Sequence, residues 1–204
     1  MKLILVRHGE THWNKQRRVQ GGSSDIELSE TGVEQANVLA SFLRNENIAA
    51  VVSSPLKRAV ITAKAIASQH QLPLKIDDGL KEIEVGELEG LSISKLNTTF
   101  SQFLMQWWEK GGSERLPGGE SIVELQERSW RPIEPLLAGH EGGTVVVVSH
   151  YFVTLAVIFK ALDLPLKYLV RFRLDPGGIS ILEFEDYGAR LVTFNDTSYL
   201  SLPS

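Results

Sequence analysis

Residues 3–9 read LILVRHG, a short apolar run that ends in an arginine, a histidine and a glycine. A continuous apolar run of this length is typical of a β-strand covered on both faces, as in a parallel sheet between two layers of helices. Ligands bind such sheets at the carboxyl ends of the strands. The stretch therefore predicts an α/β fold and a polar site that begins at Arg7 and His8.

The rest of the chain alternates strands with helices in the same way. Buried strands are predicted at 49–53, 74–76 and 144–148, and a closing hairpin at 179–184 and 190–194. Helices are predicted at about 30–46, 56–69, 92–109, 120–138 and 151–162. Ser29 is placed to cap the first helix, and Ser54-Pro55 to begin the second. This alternation predicts a three-layer α/β/α sandwich with a mainly parallel central sheet, as one domain over residues 1–204.

The composition limits the class of protein. The chain has 204 residues, a net charge of −4 and no cysteine. The missing cysteines exclude disulfide scaffolds, cysteine-ligated metals and thiol nucleophiles, and they fit a reducing compartment. The mild acidity argues against nucleic-acid binding, and no apolar run approaches the roughly 20 residues that cross a bilayer. We therefore expect a cytoplasmic protein that binds neither nucleic acid nor membrane.

The charges are unevenly distributed along the chain. Residues 1–24 hold five basic side chains against one acidic side chain, whereas residues 77–89 hold six acidic side chains against one lysine. Such runs are usually solvated surface. The alternative interpretation is a cationic anion-binding site together with a carboxylate segment that serves it.

Residue types suited to binding an anion come directly after three of the predicted strands. Arg7 and His8 follow the first strand, and Arg58 lies in the first turn of the helix after the second. His150 follows the valine-rich strand. Each residue alone has a plain structural interpretation, but parallel strands bring all four to one end of the sheet. Because arginine forks match phosphate oxygens, we expect a phosphate pocket there.

Three other chemistries lack their usual sequence patterns. No Gly-x-Ser-x-Gly motif for a serine nucleophile is present, and no Gly-x-x-x-x-Gly-Lys-Ser/Thr phosphate loop. Residues 8–12 read HGETH after a strand, not the His-Glu-x-x-His that binds zinc on a helix.

A series of motifs resembles the histidine phosphatase superfamily, which includes cofactor-dependent phosphoglycerate mutases. The motifs follow one another in the expected order over nearly the whole chain. They are LVRHGET at 5–11, WN at 13–14, QG at 20–21, LSETG at 28–32, SSPLKRA at 53–59, EIEVGELEG at 82–90, PGGES at 117–121 and VVVSH at 146–150.

This resemblance implies a mechanism and a set of roles. His8 would be the nucleophile that forms a phosphohistidine, and Arg7, Arg58 and His150 would surround the phosphoryl group. Glu82 would be the proton donor; composition alone does not separate it from the other glutamates of 82–90. The resemblance implies no metal or other cofactor. Further contacts to phosphate or substrate are expected from Asn14, Gln20 and Gly21, although Asn14 and Gln20 can equally be hydrogen-bonding residues of the loop. Tyr151 departs from the family, which has glycine after the second histidine, and is expected to narrow that side of the pocket, where it would contact substrate.

The segment 91–119, expected as a helical insertion over the active site, bears on the substrate. The mutases carry extra basic residues here, whereas this chain has three scattered ones and an aromatic stretch at 100–108. Aromatic residues at helical spacing are more often core than substrate wall, but they suit an apolar leaving group.

We therefore expect a phosphatase of a small phosphorylated metabolite, with residues 172–178 similar to α-ribazole phosphatases. The alternatives are a phosphoglycerate mutase and a non-catalytic phosphate-binding module, and an edge strand or the Trp107-Trp108 surface could form a homodimer.

Overall fold

The computed structural model describes residues 1–140 and 142–201. Within these ranges six strands form one sheet in the order β3-β2-β4-β1-β5-β6. The strands are β1 Lys2–Arg7, β2 Ile48–Ser53, β3 Leu74–Ile76, β4 Thr144–Ser149, β5 Ile179–Glu185 and β6 Gly188–Asp196. Strands β1 to β4 are parallel, and the β5–β6 hairpin adds an antiparallel edge. The sheet is mixed, and the predicted parallel part extends from the edge strand β3 to β1.

Helices cover both faces of the sheet. They are α1 His12–Lys15, α2 Glu30–Phe42, α3 Lys57–Gln69, α4 Ile93–Thr99, α5 Ser101–Glu109, α6 Ile122–Trp130, α7 Ile133–Gly139 and α8 Tyr151–Ala161. Successive strand side chains point to opposite faces. Ile4 and Val146 accordingly pack with α2 and α3, whereas Leu3 and Val147 pack with α5 to α8. The three-layer prediction is confirmed. No helix in the described part of the chain is long and apolar enough to span a membrane.

The strand register brings the predicted site residues together. Arg7 at the end of β1 lies opposite Ser149 at the end of β4, and Ser53 at the end of β2 lies opposite Val148. The segments that leave these three strands therefore start from one end of the sheet, as the sequence predicts.

Some helix boundaries differ from the predictions. Ser29 caps α2 as expected by accepting the Gly32 N–H, but the prediction that Ser54-Pro55 begins α3 is wrong. Helix α3 starts at Lys57, and the Ser54 hydroxyl lies 2.7 Å from a ring nitrogen of His150.

The two longest predicted helices are each divided in two. The helix predicted at 92–109 breaks between α4 and α5 at Phe100, and the one predicted at 120–138 breaks between α6 and α7 at Arg131-Pro132. Proline has no N–H to donate to the preceding turn, which accounts for the second break.

Candidate active site

His8 directly follows β1, and its side chain is almost fully buried. Its Nδ1 lies 2.7 Å from the carbonyl oxygen of Gly9. A carbonyl only accepts hydrogen bonds, so this contact assigns the ring proton to Nδ1 and leaves the Nε2 lone pair free. The backbone here admits only glycine, because a Cβ on Gly9 would lie 2.5 Å from the carbonyl oxygen of Gly32.

His150 directly follows β4 and is fully buried, with its ring centroid 5.1 Å from that of His8. Its Nδ1 lies 3.3 Å from Nε of Arg58, which only donates, so Nδ1 must accept. The proton of the neutral ring is then on Nε2, 2.7 Å from the hydroxyl oxygen of Ser54. The two histidines therefore adopt opposite tautomers.

Arg58, the second residue of α3, is fully buried and rigidly held. Its Nη1 donates to the carbonyl of Ser24 (2.6 Å) and its Nη2 to that of Gly21 (3.0 Å). The Gln20 amide oxygen lies 2.6 Å from Arg58 Nε in the orientation that satisfies both neighbours of that amide. Burial lowers the pKa of Arg58 to about 10, so the guanidinium stays charged at neutral pH.

Arg7, the last residue of β1, faces the same space. Its Nη1 donates to the carbonyl of Leu174 (2.6 Å), and its guanidinium lies 5.3 Å from the centroid of the Tyr151 ring. Among the residues the structure describes, the buried Nε of Arg7 has no hydrogen-bond partner. A bound anion would satisfy this donor, because buried N–H groups are normally paired.

Glu82 is buried at the edge of this cluster. Its Oε1 accepts the N–H of Ile83 (2.8 Å) and its Oε2 accepts the N–H of Phe152 (3.2 Å). Burial raises the pKa of Glu82, although these two N–H groups, Arg58 and Arg7 oppose the shift. The carboxyl group therefore keeps its proton to higher pH than an ordinary glutamate.

The neighbouring glutamates are placed differently. Glu84 accepts the hydroxyl of Ser23 (2.6 Å), Glu87 is exposed, and Glu89 accepts the N–H of Gly21 (2.8 Å). A cavity lies beside His8, and of the four glutamates in 82–90 only Glu82 lines it.

The two histidines are held neutral by their surroundings. Burial, and then the Arg58 and Arg7 cations, keep the pKa of His8 well below its usual value. Burial, Arg58 and His8 have the same effect on the pKa of His150. A neutral imidazole is the form that can act as a nucleophile.

The four further predicted contact residues fall into two groups. Asn14, Gln20 and Tyr151 line the cavity, and the Tyr151 hydroxyl donates to the carbonyl of Phe172 (2.7 Å). Gly21 instead lies behind Arg58: its carbonyl accepts from that guanidinium.

The cavity beside His8 has a volume of about 380 Å³ and a largely apolar wall. Helices α4 and α5 supply part of that wall with Ile93, Leu96, Leu104, Trp107 and Trp108. Other aromatic residues of this segment pack against the core, and Met105 is exposed. The stretch 100–108 therefore contributes some residues to the core and others to the cavity wall, as the two interpretations of the sequence predict.

Three side chains that support the site are not among the residues predicted from the sequence. Ser54 was assigned to a helix cap but contacts His150, and Thr62 accepts the N–H of Gly9 (3.2 Å). Arg128 contacts the segment of Glu82 and is described below. The position of Thr62 near the site could have been predicted, because it follows Arg58 by four residues and so lies on the same face of the helix.

Two arginines and two histidines at the carboxyl end of an α/β sheet form the kind of site found in enzymes that handle phosphoryl groups. The sequence profile of the histidine phosphatase superfamily (branch 1) matches residues 3–197. The chain belongs to this superfamily. The match confirms the resemblance described above.

Individual relatives agree with this assignment. The chain is 38% identical over 201 residues to the bifunctional protein Rv2228c of Mycobacterium tuberculosis. The aligned region covers 98% of the chain and 55% of that relative. The chain thus spans about half the length of this curated relative. It is 33% identical to the probable phosphoglycerate mutase GpmB of Yersinia pestis, covering 100% and 97% of the two chains. A phosphoserine phosphatase variant from Entamoeba histolytica, solved with phosphoserine, superposes with a TM-score of 0.84 at 33% identity and 98% coverage of both chains.

Proposed function

We propose that the chain is a metal-independent phosphomonoester hydrolase that acts through a phosphohistidine on a small phosphorylated metabolite. The observation that carries this proposal is the Nδ1 contact of His8 with Gly9. It leaves Nε2 as a free nucleophile in a site that holds Arg58, His150 and Glu82.

In the first step His8 Nε2 attacks phosphorus, and the bond from phosphorus to the ester oxygen breaks as the N–P bond forms. Arg7 and Arg58 neutralise the phosphoryl oxygens, the main requirement of phosphoryl transfer, and His150 joins them once it gains a proton beside the bound phosphate dianion. Glu82 gives its proton to the departing oxygen, so the alcohol leaves neutral. In the second step water attacks phosphorus, Glu82 takes the proton back, and phosphate and free His8 are released.

The segment 91–119 favours a phosphatase over a mutase. A mutase holds a second anionic group of its substrate, and the segment 91–119 has three basic residues for that task. Lys110 and Arg115 pair with surface glutamates, and Lys95 does not line the cavity. The apolar wall suits an apolar leaving group instead. The similarity to GpmB keeps the mutase as the second candidate.

Turnover of a substrate panel tests the proposal. Purified protein is incubated with a chelator and with aryl phosphates, alkyl phosphates and 3-phosphoglycerate. We expect phosphate release without added metal, fastest from aryl esters, and an acid-labile phosphoenzyme that is absent from His8→Ala. Interconversion of phosphoglycerates without release would establish the mutase instead. Tight phosphate binding without turnover would establish a binding module.

A further inference from the structure

Arg128 on α6 contacts the segment that carries Glu82. Its Nη1 donates to the carbonyls of Gly79 (2.8 Å) and Lys81 (2.7 Å), and its Nη2 donates to the carbonyl of Glu82 itself (2.9 Å). One guanidinium thus binds three carbonyls within four residues. We call residues 79–84 the acid segment.

Glu120 completes this arrangement from the other side. Its carboxylate pairs with Nε and Nη2 of Arg128, and 9% of its side chain is exposed. The same carboxylate accepts the N–H of Glu84 (3.0 Å), and the Glu120 N–H donates to the carbonyl of Glu84 (2.8 Å). Glu120 therefore orients Arg128 and also fastens the far end of the acid segment.

The acid segment depends on these contacts because it is irregular. It begins inside a short 3₁₀ turn at Asp78–Leu80, and its remaining residues lie outside the helices and strands. Within the described residues, both hydrogen-bond donors to the Glu82 carboxyl group are backbone N–H groups. One is that of Ile83 in the acid segment, and the other is that of Phe152 on α8. The position of the carboxyl group relative to α8 thus depends on where the backbone of the acid segment lies.

We propose that Arg128, oriented by Glu120, is a positioning residue that places the Glu82 carboxyl group for proton transfer. This inference rests on the proposed function, in which Glu82 is the acid. Proton donors must lie within hydrogen-bond reach of the leaving oxygen, so a shift of the segment by about 1 Å costs on the order of 100-fold in rate.

The test compares two esters that differ in their need for a proton. An alkyl phosphate needs the acid because its leaving alkoxide is strongly basic, whereas p-nitrophenolate leaves without a proton. The quantity measured is kcat/KM, which reports the steps up to release of the alcohol and not the later hydrolysis. For Arg128→Met we expect a loss of roughly 10- to 100-fold with the alkyl ester and roughly threefold or less with p-nitrophenyl phosphate.

Three further variants make the result specific. Arg131→Met removes an exposed arginine three residues along the same chain segment, and we expect it to change neither ester. Glu120→Gln should show the same selective loss in smaller degree, and it serves as the test if Arg128→Met does not fold. Adding Arg128→Met to Glu82→Gln should cause no further loss with the alkyl ester, because the group being positioned is already gone.

Each result decides between the possibilities. Selective loss with the alkyl ester, absent in the Glu82→Gln background, supports the inference. Equal losses with both esters, or losses that multiply with those of Glu82→Gln, overturn it, because Arg128 would then act only on folding or on another group. A wild-type protein that hydrolyses neither ester would overturn the proposed function, and this inference with it.

Discussion

At the scale of single residues, the Nδ1 atoms of the two buried histidines face opposite partners. Nδ1 of His8 meets a carbonyl oxygen, and Nδ1 of His150 meets an arginine N–H. One ring is therefore left with a free basic nitrogen, while both nitrogens of the other are engaged. In each histidine, the hydrogen bond at Nδ1 thus decides which ring nitrogen carries the proton and which can accept or attack.

The proposed acid gives a prediction at this scale. Glu82→Gln should lower kcat/KM for an alkyl phosphate by about 10²–10⁴-fold, the usual contribution of a general acid. Glu84→Gln should leave it nearly unchanged, since Glu84 binds Ser23 and does not line the cavity. Steady-state kinetics of the two variants check this. Equal inactivation of both would show that the acid is misassigned.

The pH profile is a second prediction. His8 must be neutral to act as a nucleophile. Because its pKa is lowered, it stays neutral, and the enzyme stays active, at pH values below the ordinary histidine pKa of 6.5. Glu82 must be protonated, and its raised pKa carries activity above the ordinary 4.5 of glutamate, with a fall as the pH rises through that raised value. We expect Glu82→Gln to lose the alkaline limb of log kcat/KM against pH. The ionisation of the substrate is common to both proteins, so an unchanged limb in Glu82→Gln would contradict the assignment.

At the scale of elements, α4 and the segment before it are joined to the loop after α1. The N–H of Val19 donates to the carbonyl of Leu91 (2.8 Å), and the N–H of Ile93 donates to that of Arg17 (2.9 Å). This loop leads from Asn14 to Gln20. The apolar wall and the polar side chains of Asn14 and Gln20, which we expect to contact phosphate, are therefore parts of one connected unit.

Helix α5 gives a prediction because its two faces differ. Trp108 lines the cavity and packs beside Phe152, whereas Met105 is 58% exposed. Trp108→Ala should raise KM for an aryl phosphate on the order of tenfold, as expected for lost apolar contact, without affecting inhibition by inorganic phosphate. Met105→Ala on the exposed face is the matched control. A Trp108→Ala variant with unchanged KM would mean that the leaving group does not contact this wall.

Sequence could predict the elements whose signal is local. The four consecutive valines of β4 define a buried strand, and the antiparallel pair β5–β6 follows from its turn. The start of α3 could not be predicted, because Ser54 and His150 are 96 residues apart in sequence and their contact overrides the capping preference. The role of Arg128 was hidden for the same reason, since its carbonyl partners lie up to 49 residues away.

At the scale of the whole molecule, an acidic protein has a basic entrance to its site. A groove of about 610 Å³ shares Arg7, Asn14, Arg18 and Tyr151 with the cavity and is also lined by Arg17, Arg173, Glu10 and Asp175. Four arginines thus face two carboxylates there. The net charge of −4 would repel a phosphate ester at long range. Inside a concave region, the local cations prevail over that distant charge.

This charge distribution predicts a dependence on salt. We expect kcat/KM to fall severalfold between low and moderate ionic strength, because added ions screen the entrance charges over about 8–10 Å. Replacing Arg17 and Arg18 by glutamine should flatten this dependence, while kcat stays nearly constant. Arg44→Gln with Arg131→Gln, on exposed surface outside the groove, is the charge-matched control. An equal flattening in that control would attribute the effect to net charge.

The central position of β1 has a consequence for how the molecule forms. This strand ends beside His8, yet its neighbours are β4 and β5, which come roughly 140 and 180 residues later. Contacts so distant in sequence have a high contact order and slow down folding. During synthesis the apolar strand must remain unpaired until β4 and β5 have left the ribosome, a period in which exposed strands are prone to aggregate. His8 thus acquires its pocket only after residues 144–185 have been synthesised.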